Sequence, residues 1–106
     1  MGLLATVALP RFSEFRAAAY DARAQQDLRN LAAAQELYRA TAGSYASTAS
    51  QLSAFRASQG VELSIEGADE DGFMARAGHP SGNRGYTWDS DRDPPLASQL
   101  LNPAGG

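Results

Sequence analysis

The pattern of apolar and polar residues changes once along the chain, from a helical period to an alternating one. Between residue 11 and about residue 42 there is no proline or glycine, and Ala, Gln, Glu, Arg and Leu predominate, all of which favour helices. Pro10 is acceptable as the first residue of a helix, and Gly43 is the residue type expected just beyond a helix C-terminus. We therefore assign residues 1–42 to a helical segment whose uninterrupted part begins at Arg11.

This predicted helix carries apolar residues on two sides. A continuous stripe suits burial against the chain's own sheet; its members are Tyr20, Ala24, Leu28, Leu31 and Tyr38, with Gln35 at one step. A second set lies on a different side, weighted toward the N-terminal half; its members are Phe12, Phe15, Ala19, Ala22, Ala33 and Leu37. Because one small sheet covers only one side of a helix, the second set predicts contact with another molecule.

Beyond Gly43 the chain is first irregular and then alternating. Residues 43–59 are predicted to be a loop containing a short helical turn around Thr48 to Phe55. Alternation of apolar and polar residues then predicts three strands; they lie in residues 61–66, 73–78 and 84–89. Joined by turn-forming segments, they make an antiparallel meander over residues 60–89. The predicted fold is α+β, a long N-terminal helix packed on a three-stranded antiparallel sheet, in a single domain.

The last segment, residues 90–106, is predicted to be a tail. Pro94 and Pro95 follow an acidic turn, and because proline donates no ladder hydrogen bond we expect them to prevent a further strand. Leu96, Leu100 and Leu101 are expected to dock this tail loosely on the domain.

Composition removes several functional classes. The chain has 106 residues and no cysteine, so it offers no disulfide, no thiolate nucleophile and no Cys-ligated zinc site. The net charge is −3, and all the basic residues are arginines scattered among acidic ones. Because non-specific nucleic-acid binding needs a basic field, this balance argues against a nucleic-acid partner.

Candidate chemistry is sparse. Asp89, Asp91 and Asp93 have the spacing of a calcium loop, but no glutamate follows to close such a site, so a solvated acidic loop is the favoured interpretation. His79 is the single histidine and precedes a proline, where a surface turn is expected rather than a catalytic base. With no arrangement of nucleophile, base and orienting group, we predict no enzyme activity and no cofactor.

Residues 2–10, with the sequence Gly-Leu-Leu-Ala-Thr-Val-Ala-Leu-Pro, resemble the end of the N-terminal helix of bacterial type IV pilins and type II secretion pseudopilins. Other helical segments are similar to short pilins; they are residues 11–16, 19–21, 27–31 and 38–45. The resemblance is specific over residues 2–45 and looser over the later strands. It implies a helix packed on a meander, and assembly into a filament through helix–helix packing.

The resemblance also implies partners and a location. The partners are other copies of the subunit, the pilus assembly machinery and, through an apolar segment expected before Gly2, the inner membrane. The location is an inner-membrane precursor and then an extracellular filament, or the periplasm for a pseudopilin. The filament-contact candidates are Leu3, Leu4, Val7, Leu9, Pro10, Phe12, Phe15, Ala19, Ala22 and Leu37. The charged residues Arg11, Glu14, Arg16 and Asp21 are expected to pair with adjacent subunits.

Three functions remain open. The leading one is a structural subunit of a type IV pilus, used for adhesion, motility or surface contact. The second is a type II secretion pseudopilin, which shares the fold, although the calcium loop typical of major pseudopilins is not recognisable here. The third is a stand-alone α+β binding domain, which predicts that the native gene starts at Met1.

Overall fold

The long helix α1 of the computed structural model spans Phe12–Ala42 and packs with one side on an antiparallel sheet. The structure describes residues 12–100, without the side chains of Phe12, Ser13 and Leu100. Five filament-contact candidates lie outside the described residues; they are Leu3, Leu4, Val7, Leu9 and Pro10. Of the remaining candidates, all but Phe12 have described side chains.

Helix α1 ends where the sequence predicts. Gly43 has φ +84°, a left-handed conformation that costs glycine little because it has no Cβ. Its N–H donates to the Arg39 carbonyl oxygen over 2.9 Å, which satisfies one of the carbonyls left without a partner at a helix end. A helix of about 31 residues is about 46 Å long, so the sheet supports only part of its length.

Within residues 12–100, four strands follow α1 in an antiparallel sheet with the order β1-β2-β3-β4. Their bounds are β1 Glu62–Ala68, β2 Phe73–Gly78, β3 Arg84–Asp89 and β4 Leu96–Leu100. The loop between α1 and β1 contains one short 3₁₀ helix, Ala49–Gln51, within the segment where a helical turn was expected. The α+β class and the packing of one helix on an antiparallel sheet are therefore confirmed.

The number of strands predicted from the sequence was one too low. Residues 96–100, assigned to a loose tail, form strand β4 and pair with β3 from Trp88 opposite Leu96 to Arg84 opposite Leu100. Pro94 and Pro95 do not prevent this pairing, because they lie just before the strand and remove no hydrogen bond from its ladder. The prolines therefore mark the end of the turn after β3 rather than the end of the sheet.

The core lies between α1 and the helix-facing side of the sheet. Ala24, Leu28 and Leu31 are completely buried and pack in one cluster with side chains from β2 and β3. The sheet residues in this cluster are Phe73, Ala75, Ala77 and Tyr86. The first apolar stripe predicted from the sequence is therefore the buried face of the helix, as expected from its helical spacing.

The opposite side of the sheet is polar. Glu62, Ser64, Arg76 and Gln99 are all exposed, and they alternate along the strands with the residues that face the helix. Such alternation is typical of an antiparallel sheet with one face against a core and the other in solvent. The sheet therefore buries its apolar side in its own domain.

Candidate interaction surface

The second apolar set of α1 remains exposed in the folded chain. Phe15 is 67% exposed and Leu37 63%, and Ala19, Ala22 and Ala33 are exposed as well. With about 100° between successive residues of a helix, these positions lie opposite the buried stripe. We call this set the outer face. The two apolar sides predicted from the sequence are thus present, and within residues 12–100 the fold covers only one of them.

A polar middle section divides the outer face. The Gln26 side-chain amide donates to the Asn30 side-chain oxygen over 3.1 Å, and Arg29 is exposed beside them. Phe15 and Leu37 are about six helical turns apart, roughly 33 Å along the axis. The outer face therefore has two separate apolar ends, one around each of these large side chains.

The C-terminal end of the outer face opens into a groove between α1 and the loop that follows it. On the helix side the groove is lined by Asn30, Ala33, Ala34 and Leu37; on the loop side it is lined by Ala54, Phe55 and Arg56. Phe55 is half-buried and Arg56 is exposed. The groove is thus lined by apolar side chains from both walls together with the polar residues Asn30 and Arg56.

Gln35 fixes the start of the loop that forms this groove. It is completely buried, its amide nitrogen donates to the Ala46 carbonyl over 2.9 Å, and its oxygen accepts the Ala46 N–H over 2.7 Å. The amide thus satisfies both backbone groups of one residue, as a neighbouring strand would. Both groups of this buried residue need partners, because unpaired backbone groups away from water are costly.

Asp27 fixes the other end of the same loop. Its two carboxylate oxygens accept the Ser58 N–H over 2.7 Å and the Ser58 hydroxyl over 2.9 Å. Between the two anchors Leu52 is buried in the core. The loop wall of the groove is therefore held at both ends by side chains of the helix that forms the other wall.

Asp21 anchors a third segment, and its predicted role in subunit pairing is wrong. The side chain is only 8% exposed, and its Oδ1 accepts the N–H groups of Asn83 and Arg84 over 2.9 and 3.1 Å. A Cβ at Gly82 would collide with this carboxylate, so the glycine allows the close approach. Asp21 serves its own domain by joining the helix to the turn between β2 and β3.

His79 is in that turn as expected, but the prediction that it lies on the surface is wrong. It is 9% exposed, and its ring stacks on Tyr20 with centroids 4.0 Å apart. Its Nδ1 accepts the Ser81 N–H over 3.0 Å. The opposite edge of the ring lies so close to Gly60 that a Cβ there would collide with it. The stacking surface supplied by Tyr20 explains why a turn residue is buried.

Sequence reasoning missed the anchoring roles of Asp21 and Asp27, because acidic residues on a helix are usually solvated. The spacing of the two residues in the sequence nevertheless indicated that their carboxylates lie on the buried side of the helix. Both are three positions from Ala24, a member of the buried stripe, and Asp27 is also four positions before Leu31. Residues three or four apart share a helix side, so both carboxylates fall where a partner from the rest of the domain is required.

The calcium-like spacing belongs to the turn between β3 and β4. Asp89 uses its Oδ1 to accept the Asp91 N–H over 2.9 Å, and Asp91 and Asp93 are exposed. Within residues 12–100 no group of three or more His, Cys, Asp and Glu side chains is placed to hold a metal ion. In the structure these aspartates therefore form a polar turn.

Two tyrosines have raised pKa values, the buried Tyr86 and the half-buried Tyr45. Burial raises the pKa of the Tyr86 phenol, and the Asp21 carboxylate raises it further, against an opposing effect of Arg84. Burial likewise raises the pKa of Tyr45, with a contribution from the hydrogen bond that its hydroxyl donates to Glu36 over 2.8 Å. In both cases the folded chain favours the neutral phenol.

These shifts predict a loss of stability at alkaline pH. A group with a raised folded-state pKa stabilises the fold fully below its unfolded pKa, and this contribution is lost as the pH rises through the folded value. We therefore expect the free energy of unfolding to fall as the pH rises above about 10, and to fall less in Tyr86→Phe. Urea titrations between pH about 8 and about 11 would measure this, and an equal fall in both proteins would contradict it.

No protein-family model matches the chain, and a search of curated proteins finds no match. In the part of the chain that the structure describes, no helix has the length and hydropathy needed to cross a membrane.

Proposed function

We propose that this protein is a structural subunit of a type IV pilus filament, assembled through packing of its N-terminal helix. The observation that carries the proposal is the outer face, whose two apolar ends are exposed opposite the buried side of one long helix. Such a surface is costly to leave in water and commonly marks a protein–protein contact. The resemblance of residues 2–45 to short pilins supports assembly into a filament through helix–helix packing.

The two-sided arrangement of the domain supports this function. The sheet presents polar side chains on its far side, whereas the outer face of α1 is apolar at both ends. In a filament, helices at the centre would bury the outer face, and the polar side of the sheet would meet the solvent. The precursor would be held in the inner membrane and passed to the filament by the pilus assembly machinery.

The pseudopilin alternative shares the fold, and genes next to this one would distinguish it. Genes for a secretion ATPase and an outer-membrane secretin without retraction genes would favour a pseudopilin. The stand-alone binding domain is distinguished by the codons upstream of Gly2. The pilin and pseudopilin proposals require a short basic leader and then an apolar run, starting with Phe or Met and carrying an early glutamate.

Immunoelectron microscopy tests the pilus proposal directly. An antibody raised against the 106-residue chain is expected to label thin filaments on the surface of the native cells, because each subunit would present its sheet outward. A strain lacking the gene is the control and should show neither label nor these filaments. Label confined to the periplasm, or to the cell interior, would contradict a pilus subunit.

A further inference from the structure

The two edges of the sheet differ in how well they are protected against pairing with another chain. β1 carries the exposed side chains of Glu62 and Glu66, and its register with β2 shifts between Ile65 and Gly67, as at a β-bulge. The short 3₁₀ helix Ala49–Gln51 also packs against this strand. Charges, bulges and covering segments are the means by which proteins keep an edge strand from pairing. The β1 edge is therefore poorly suited to a further strand.

β4 has none of these protections in the part of the chain that the structure describes. Residues 96–100 contain no charged residue and no proline, and their register with β3 has no shift. No described strand lies beyond β4 in the sheet. The outer edge of β4 thus presents backbone N–H and C=O groups in the alternation that an added strand completes.

The apolar core is also incompletely covered beside β4. α1 packs on the central strands β2 and β3, whereas Trp88 and Leu96 are opposite each other in the outermost strand pair. Both pack against the core but are only half-buried. A strand added along β4 would extend the helix-facing side of the sheet and cover them further. The β4 edge therefore lacks apolar cover as well as backbone partners.

β4 of a second copy is a suitable partner for this edge. In a fully overlapping antiparallel pair of β4 strands, Ser98 lies opposite Ser98, Ala97 opposite Gln99, and Leu96 opposite Leu100. No like charges meet across the contact, which removes the main obstacle to cross-strand pairing. β1 of a second copy would instead bring its two glutamates and its bulge to the contact. The chain's own sequence thus favours β4 against β4.

The helices leave room for this pairing. Because α1 lies over β2 and β3, the helices of two copies would be four strand spacings apart, roughly 19 Å. A helix with its side chains is about 10 to 12 Å wide. Two copies therefore meet at β4 without a collision of their helices, and the helix-facing sides of the two sheets become continuous.

We propose that β4 pairs antiparallel with β4 of a second copy, which joins two four-stranded sheets into one sheet of eight strands. The contact uses the same surface on both copies, so it closes into a dimer with a twofold axis. It goes beyond the proposed filament function and does not depend on it, because it leaves the outer face of α1 free. The contact is small, so the dimer is reversible and its population depends on concentration.

Sedimentation of the 106-residue chain over a range of concentrations tests the contact. A species with twice the 11.2 kDa mass of one chain is expected to accumulate as the concentration rises. Ser98→Lys is expected to weaken this dimer several-fold, because two ammonium groups would then face each other. The Arg84 guanidinium, 3.5 Å from the Ser98 hydroxyl, adds to this repulsion. Ser64→Lys makes the same change at an exposed position of β1 and should leave the dimer unchanged.

Disulfide formation tests the register independently. The chain contains no cysteine, so Ser98→Cys introduces a single thiol at the middle of β4. Directly opposite residues of an antiparallel pair have Cβ atoms about 4.5 to 5.5 Å apart, close to the separation in a disulfide. Under mild oxidation we expect Ser98→Cys to form covalent dimers several-fold faster than Ser64→Cys, whose thiol is on the other edge strand. This nearly isosteric change keeps the test valid if lysine disturbs the sheet.

The results that would overturn the proposal are distinct from those that bear on the pilus. A wild-type chain that stays monomeric at every concentration would overturn it, and so would equal oxidation rates of the two cysteine variants. A dimer that Ser98→Lys leaves unchanged would also overturn it, because the contact would then lie elsewhere. Antibody labelling of native cells tests the filament separately, so either proposal can fail while the other stands.

Discussion

Replacing Gln35 by alanine is expected to lower the free energy of unfolding by about 2 to 6 kcal/mol. The change leaves the buried N–H and C=O of Ala46 without partners, at about 1 to 3 kcal/mol for each unsatisfied group, and it opens a space in the core. For a domain whose total stability is about 5 to 15 kcal/mol, such a loss is a large fraction. Urea unfolding followed by circular dichroism would measure it.

Gln26→Ala is the matched control for this experiment. It changes the same residue type in the same helix, so the gain in helix propensity from alanine is common to both variants. Gln26 is exposed, and among the described residues its side chain bonds to Asn30 alone, so we expect a change within about 0.5 kcal/mol. Equal effects of the two substitutions would show that the Gln35 amide does not hold the loop as described.

Replacing both Phe15 and Leu37 by serine is expected to abolish filaments without unfolding the domain. The two side chains provide the large apolar surface at each end of the outer face, and both are absent from the core cluster. We therefore expect filament yield to fall below detection by electron microscopy, while the free energy of unfolding changes by no more than about 1 kcal/mol for the pair.

Met74→Ser separates loss of a subunit contact from a general loss of exposed apolar surface. Met74 is 43% exposed and belongs to the side of the sheet that the filament proposal places in solvent. This variant should assemble normally. Normal assembly of the Phe15 and Leu37 double variant, or equal failure of the Met74 variant, would contradict the assignment of the outer face as the contact surface.

The strands β2 and β3 were predictable to the residue, whereas β4 was not. In β2, Phe73 and Ala75 alternate with polar or exposed positions and are bounded by turn-forming segments, so the local pattern is sufficient. In β4, the pattern is short and follows Pro94 and Pro95, which local reasoning interprets as a stop. Its pairing with β3 is a tertiary effect, because the neighbouring strand and not the intrinsic preference of residues 96–100 decides it.

The polar side chains that anchor α1 to distant loops show the same limit of prediction from local sequence patterns. Periodicity identifies the buried side of α1, and Gln35 was recognised as a step in the stripe. The partners of Gln35, Asp27 and Asp21 are backbone or side-chain groups of distant loops, however, and no local pattern specifies which loop residue each will meet. The groove was missed for the same reason, since its loop wall is positioned by these anchors.

The hydrogen bonds from the Asn83 and Arg84 N–H groups to the Asp21 carboxylate have a consequence for the order of folding. It joins residues 62 and 63 positions apart, whereas adjacent strands of the meander pair over short stretches of chain. Contacts that close long loops are slow to form, since their entropic cost precedes their gain. The hairpins are therefore expected to form before the N-terminal half of α1 docks. A bond made after the rate-limiting step chiefly restrains unfolding, so Asp21 would govern how long the folded domain lasts more than how quickly it forms.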